Sequence, residues 1–251
     1  MSDWRVPLTS IAVPEQDVQA VLDCLESGWL TMGPRTKAFE DALAQYVGTP
    51  HAVTVSSGTA ALHLACVAAG LGPGDEVIVP AFTFVASAAA ARYVGAEPVL
   101  CDVRSPLDFN IDPADVERRI TPRTRAVVAV HFCGYPADVQ TLRALCDEHG
   151  LMLIEDCAQA IGAQVDDSGR QVGTVGELGA FSFFFDRYQS ETCSSLFAAR
   201  SSAPFWVIGA GTITSSPGRQ LAGQATPLAS TVWSASTTRR ISSKFRPTLS
   251  G

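Results

Sequence analysis

Short apolar runs alternate with stretches of helical periodicity over the first three quarters of the chain. Val18, Val21, Leu22 and Leu25 recur at helical spacing behind early acidic residues, which predicts an amphipathic helix from residue 14 that ends at Ser27-Gly28. Gly33-Pro34 marks a loop over residues 29–34, and a second helix is expected over 35–46. Apolar and β-branched runs at 52–55, 76–79, 97–102, 126–130, 151–154 and 179–184 read as buried strands. Helical stretches at 60–69, 85–93 and 139–149 fall between them, and Asn110-Ile111-Asp112-Pro113 reads as another helix start with proline near its first turn. Such alternation with short links predicts a three-layer α/β/α arrangement around a mostly parallel sheet joined by right-handed crossovers. No internal repeat is present.

The pattern fades after residue 188. Ser and Thr make up roughly a third of the residues beyond that point, with Glu191 the single acid, so residues 189–251 are expected to be a poorly ordered tail. A length of 251 residues with 47% hydrophobic content suits one large α/β domain. The formal net charge of −7 argues against a nucleic-acid surface. No apolar stretch approaches the roughly 20 residues of a membrane span, and the amino terminus lacks signal-peptide order, so a cytoplasmic location is expected. Seven cysteines lie scattered without metal-ligand spacing and are expected to be reduced and packed.

Candidate chemistry gathers where strands end. Asp156 follows the strand at 151–154, at the sheet end where ligands bind, and a carboxylate buried there needs a cationic partner from protein or ligand. Ser56-Ser57-Gly58-Thr59 joins a strand to a helix and could hold a phosphate, although an ordinary Ser/Thr helix cap explains the same residues. Phe82-Thr83-Phe84 follows the strand at 76–79; such phenylalanines are either core or an aromatic face for a flat ligand. Ser182 sits within the last strand-like run, ahead of Asp186-Arg187. From periodicity alone Trp29 reads as a core anchor.

Taken together, Ser27-Gly28-Trp29-Leu30-Thr31-Met32-Gly33-Pro34, Ser56-Ser57-Gly58-Thr59-Ala60-Ala61-Leu62, the segment 79–87 around Phe84, Glu155-Asp156-Cys157-Ala158-Gln159-Ala160 and Gly179-Ala180-Phe181-Ser182-Phe183-Phe184 resemble the DegT/StrS-type sugar aminotransferases. The resemblance runs from about residue 6 to 184, in order and spacing. It implies the large domain of the aspartate aminotransferase fold (fold type I) with pyridoxal 5'-phosphate (PLP) as cofactor, residues 1–188 forming that domain behind an amino-terminal helical segment, and the small domain missing or degenerate. By motif, Gly58, Thr59 and Ser182 fall where the family binds the cofactor phosphate, and Phe84 where a ring stacks on the pyridine. Asp156 falls where a carboxylate pairs with the pyridinium nitrogen, and Gln159 beside the ring hydroxyl. Trp29, Leu30 and Thr31 lie in the loop beside the sugar. The resemblance also implies a nucleotide-linked keto-sugar substrate, an amino donor such as glutamate, and a homodimer.

One departure bears on activity. The family's lysine stands five residues beyond the serine of the Ser-Phe motif, and here that position is Arg187, with neither the Asn nor the Gly-Gly pair expected after it. A guanidinium cannot be deprotonated in a protein and is a poor nucleophile, so Arg187 takes neither of the lysine's roles. The chain's lysines are Lys37 and Lys244. The chain is therefore expected to be truncated or frame-shifted after about residue 184 and inactive as a transaminase. The alternatives are a non-enzymatic remnant or binding partner, and a dehydratase using the pyridoxamine form; the last needs a titratable base that Arg187 is not.

Overall fold

The computed structural model describes residues 13–183 and the backbone of one further strand at Gly211–Ser215. Two helices come first, α1 (Glu15–Glu26) and α2 (Pro34–Val47). Next are β1 (Ala52–Val55), α3 (Gly58–Ala68), β2 (Glu76–Pro80), α4 (Ala86–Tyr93), β3 (Glu97–Cys101), β4 (Val103–Ser105) and β5 (Asp108–Ile111). The chain continues through α5 (Pro113–Arg119), β6 (Thr124–Val130), α6 (Val139–His149), β7 (Met152–Asp156), β8 (Leu178–Ser182) and β9 (Gly211–Ser215).

Seven of these strands form one sheet in the order β1-β9-β8-β7-β6-β2-β3, parallel except for β9, while β4 and β5 form a separate hairpin. Strand alternation divides the core. Val77, Val79, Val128 and Ile154 face one side with Leu62 of α3 and Ala90 of α4. Ile78, Val127 and Leu153 face the other with Val116 of α5 and Leu142 of α6. A third cluster packs Leu43 and Val47 of α2 against Phe181 and Phe183. The expected mostly parallel, doubly covered sheet is what forms.

Two details differ from the sequence reading. Asn110 is not a helix start: it lies in β5, buried, and Asp112 caps α5 by accepting from Ala114 N–H at 3.1 Å. Residues 211–215 do not belong to a structureless tail, because β9 pairs antiparallel with β1 on one side and β8 on the other. Two strand edges on either side of this segment supply ladder partners that local sequence cannot reveal. The remainder of the expected tail lies outside the described residues, as does Arg187 at the end of the expected large domain.

Candidate functional site

The parallel strands deliver their carboxyl ends to one edge of the sheet. At the end of β1, Ser57 adopts extended backbone and its Oγ accepts from Ala60 N–H at 3.0 Å, starting α3. The first-turn N–H groups of Gly58 and Thr59 have no intrahelical acceptor and carry the positive end of the helix dipole. Ser182, the last residue of β8, lies against them: a Cβ placed on Gly58 would sit 2.9 Å from Ser182 Cβ and 3.1 Å from its Oγ. Only glycine allows this approach. The serine hydroxyl and the helix terminus together form a cradle for an anion.

Asp156 ends β7 and is only 5% exposed. Being two residues beyond Ile154, it points to the α3/α4 face, where its Oδ2 accepts from Ser87 Oγ at 2.9 Å while Oδ1 accepts from Ala158 N–H at 3.1 Å. Asp156 pairs in register with Ala180, so Ser182 lies two residues further along the adjacent strand. Phe84, 54% exposed, occupies the turn into α4 and its carbonyl accepts from Ser87 N–H at 3.2 Å. Gly58, Ser182, Asp156 and the Phe84 turn are thus linked by direct contacts and strand register.

Gln159 comes next, on the loop after β7. Its Oε1 accepts from Cys133 N–H at 2.8 Å, which fixes the amide and leaves the NH2 end as donor. Cys133 has φ +52°, a left-handed backbone that side chains rarely adopt. Asn110 holds this bend, accepting from Phe132 N–H at 3.1 Å and donating to the carbonyls of Tyr135 and Pro136 at 3.4 and 3.3 Å. The rings of Phe82, Phe109 and Phe132 cluster beside it at centroid separations of 4.9 to 5.5 Å.

Glu155 points through the opposite face and is fully buried. Its Oε1 accepts from Val175 and Gly176 N–H at 2.7 and 2.6 Å, and its Oε2 from Gly173 N–H at 2.9 Å and His131 Nε2 at 3.1 Å. His131 Nδ1 accepts from Ala137 N–H at 3.1 Å, so its proton must reside on Nε2. Burial pushes the Glu155 carboxyl up, but His131 and the backbone donors outweigh it and hold the group below the usual carboxylate range. With the neighbouring Cys157, these residues lie close enough to suggest a metal site. They are ill suited to one. The carboxylate oxygens and His131 are already engaged, and burial, followed by the charges of Glu155 and Asp156, pushes the Cys157 thiol well up.

The loop at residues 29–34 behaves differently from the expected core anchor. Trp29 is 57% exposed, its Nε1 donates to Met32 carbonyl at 3.1 Å, and its indole lies across Gly33. A ring spanning its own tight loop cannot also enter the core. Leu30 and Met32 are exposed beside it, and Thr31 is exposed too. Thr83 and Ser87 join the site without a sequence signal, because a serine in an alanine-rich helix looks like small-residue filler and its partner lies 69 positions away.

An open, mostly parallel sheet with an anion cradle and a buried carboxylate at one edge is the architecture of the fold type I PLP-dependent transferases. The chain belongs to the DegT/DnrJ/EryC1/StrS aminotransferase family, whose model matches residues 12–188. It is 45% identical over 180 residues to the GDP-perosamine synthase of Vibrio cholerae, covering 71% of this chain and 48% of that protein. It is 49% identical over 160 residues to a UDP-N-acetyl-3-dehydro-alpha-D-glucosamine 3-aminotransferase of Acidithiobacillus ferrooxidans, covering 64% and 42%. Among solved structures, an aminotransferase from Psychrobacter cryohalolentis aligns with TM-score 0.70 at 34% identity, over 81% of this chain and 48% of that one. The chain spans about half the length of the curated relatives it matches. The family's aminotransferases are PLP-dependent. No helix among the described residues is long and apolar enough to cross a membrane.

Proposed function

We propose that this chain binds PLP without a covalent link and does not complete amino transfer. The observation that carries the first half is the meeting of Gly58 and Ser182 on the same sheet edge as Asp156. In this reading the α3 terminus, Thr59 and Ser182 hold the phosphate, Phe84 covers one face of the ring, and the Gln159 NH2 donates to the ring hydroxyl. Asp156 keeps a proton on the pyridine nitrogen, which is what lets the bound cofactor act as an electron sink. The cofactor-holding unit comprises residues 1–188 together with β9.

The second half rests on the amines. Arg187 stands where the family carries its lysine and offers no proton exchange near neutral pH. Lys37 forms an exposed ion pair with Asp41 one turn along α2, and that bond raises its pKa, so it is protonated and unreactive. The partners of the complete reaction, a nucleotide-linked keto-sugar and glutamate, and assembly as a homodimer, belong to this reading by family. The loop with Trp29, Leu30 and Thr31 is the proposed sugar-side surface, and the chain works in the cytoplasm.

The test is PLP titration of the full chain by fluorescence quenching, then borohydride reduction and peptide mass spectrometry, with glutamate and a nucleotide keto-sugar assayed in parallel. Saturable binding with no pyridoxyl-modified peptide and no amino-sugar product is expected. Turnover accompanied by a modified Lys37 or Lys244 would refute the inactive reading and reveal a relocated amine; absence of saturable binding would refute the cofactor site.

A further inference from the structure

We propose that Thr83 and Ser87 form a one-way proton-donor relay that positions Asp156 for its cofactor contact, an inference that rests on the PLP reading above. Ser87 is fully buried in the first turn of α4, and its Oγ lies 2.9 Å from Asp156 Oδ2 and 3.0 Å from Thr83 Oγ1. A hydroxyl has one proton. Because an ionised carboxylate only accepts, the Ser87 proton goes to Asp156, and the Thr83 hydroxyl must then donate to Ser87. The order Thr83 to Ser87 to Asp156 is therefore fixed by chemistry, although the distances alone leave it open.

The relay complements the backbone contact. Ala158 N–H takes one carboxylate oxygen and Ser87 the other, so both Asp156 oxygens are clamped by donors from different parts of the chain and the carboxylate plane cannot rotate. Thr83 and Phe84 are adjacent, and Phe84 carbonyl accepts the Ser87 N–H, so the turn that presents the aromatic ring also carries the relay. Ring stacking and ring-nitrogen pairing are set by one short segment. Thr83 and Ser87 are positioning residues, acting only through Asp156.

The decisive experiment compares PLP with its 1-deaza analogue, in which a C–H replaces the ring nitrogen, on the full chain. Ser87→Ala should weaken PLP binding about tenfold and leave the deaza affinity unchanged, since the analogue makes no demand on Asp156. Thr83→Val should weaken PLP about threefold, an effect that vanishes in the Ser87→Ala background. Equal weakening of both cofactors by Ser87→Ala, or no weakening of either, overturns the proposal. Should Ser87→Ala fail to fold, Thr83→Val decides alone: an unchanged PLP-to-deaza ratio overturns it. Should the wild type bind no PLP, the cofactor reading fails and the apo chain judges the relay. Non-additive melting shifts of Ser87→Ala and Asp156→Ala then support it, and additive shifts overturn it.

Discussion

Replacing Glu155 with Gln changes one oxygen for an amide nitrogen, yet it should be among the most damaging substitutions in the molecule. The carboxylate accepts four hydrogen bonds in a fully buried setting: Val175 and Gly176 N–H on Oε1, Gly173 N–H and His131 Nε2 on Oε2. A glutamine offers one accepting end, so whichever way its amide turns, two donors face an NH2 group. His131 cannot relieve the conflict by moving its proton to Nδ1, because Ala137 N–H already donates there. At about 1–3 kcal/mol for each orphaned buried donor, the loss is about 2–6 kcal/mol, a large share of the ~5–15 kcal/mol that stabilises a typical domain. Urea unfolding of the full chain, followed by tryptophan fluorescence and far-UV dichroism together, measures the difference. A change below about 1 kcal/mol with an unaltered m-value would refute the reasoning, since it would mean that the 173–176 segment or His131 finds other acceptors at little cost.

The same geometry sets three other outcomes. Because the Glu155 carboxyl is held below its usual range, its stabilising contribution is complete above about pH 4.3 and is lost as pH falls through the lower folded-state value; acid unfolding should be shallower in Glu155→Gln than in wild type, and parallel acid limbs would contradict this. Gly58→Ala should reduce PLP affinity at least ~10-fold in the fluorescence titration, because the new methyl forces Ser182 away, while the melting temperature moves by only a few degrees; unchanged affinity would remove Ser182 from the cradle. Asn110→Ala removes three hydrogen bonds from the bend at Phe132–Pro136 and should cost about 2–4 kcal/mol in urea unfolding, with faster amide exchange at Cys133 as a local sign.

Most strands and helices are legible in the sequence because each carries a long periodic signal that burial then enforces, as in the helix at Val139–His149 or the apolar run that becomes β6. Asp156, Gly58 and Ser182 are legible as candidate site residues because each lies next to the end of such a strand. What escapes depends on distant partners. Asn110 and Asp112 are equally good caps by type, and only the backbone of Phe132–Pro136, folded against it, draws Asn110 into a bridging role. Ser87 has no local signature for a bond to Asp156. Trp29 loses its expected place because its own loop satisfies the indole N–H. Glu155 has no sequence signal of its own, whereas strand alternation sends it and Asp156 to opposite faces with different hydrogen-bond partners.

The placement of β9 has a consequence for the order in which the molecule is built. Among the described strands, β1 has no sheet neighbour except β9, although β1 is the first strand to leave the ribosome and β9 the last. Until residues 211–215 emerge, β1 and β8 each present an open edge, and α3 hangs from a strand with no ladder. The β1·β9 pairing closes a loop of about 160 residues, the slow, non-local kind of event that folds late. The close approach of Gly58 and Ser182, the proposed phosphate cradle, spans this seam. Its two halves are therefore brought into register only once the last described strand pairs, and a nascent chain halted before that point carries the candidate motifs without the seam that joins them.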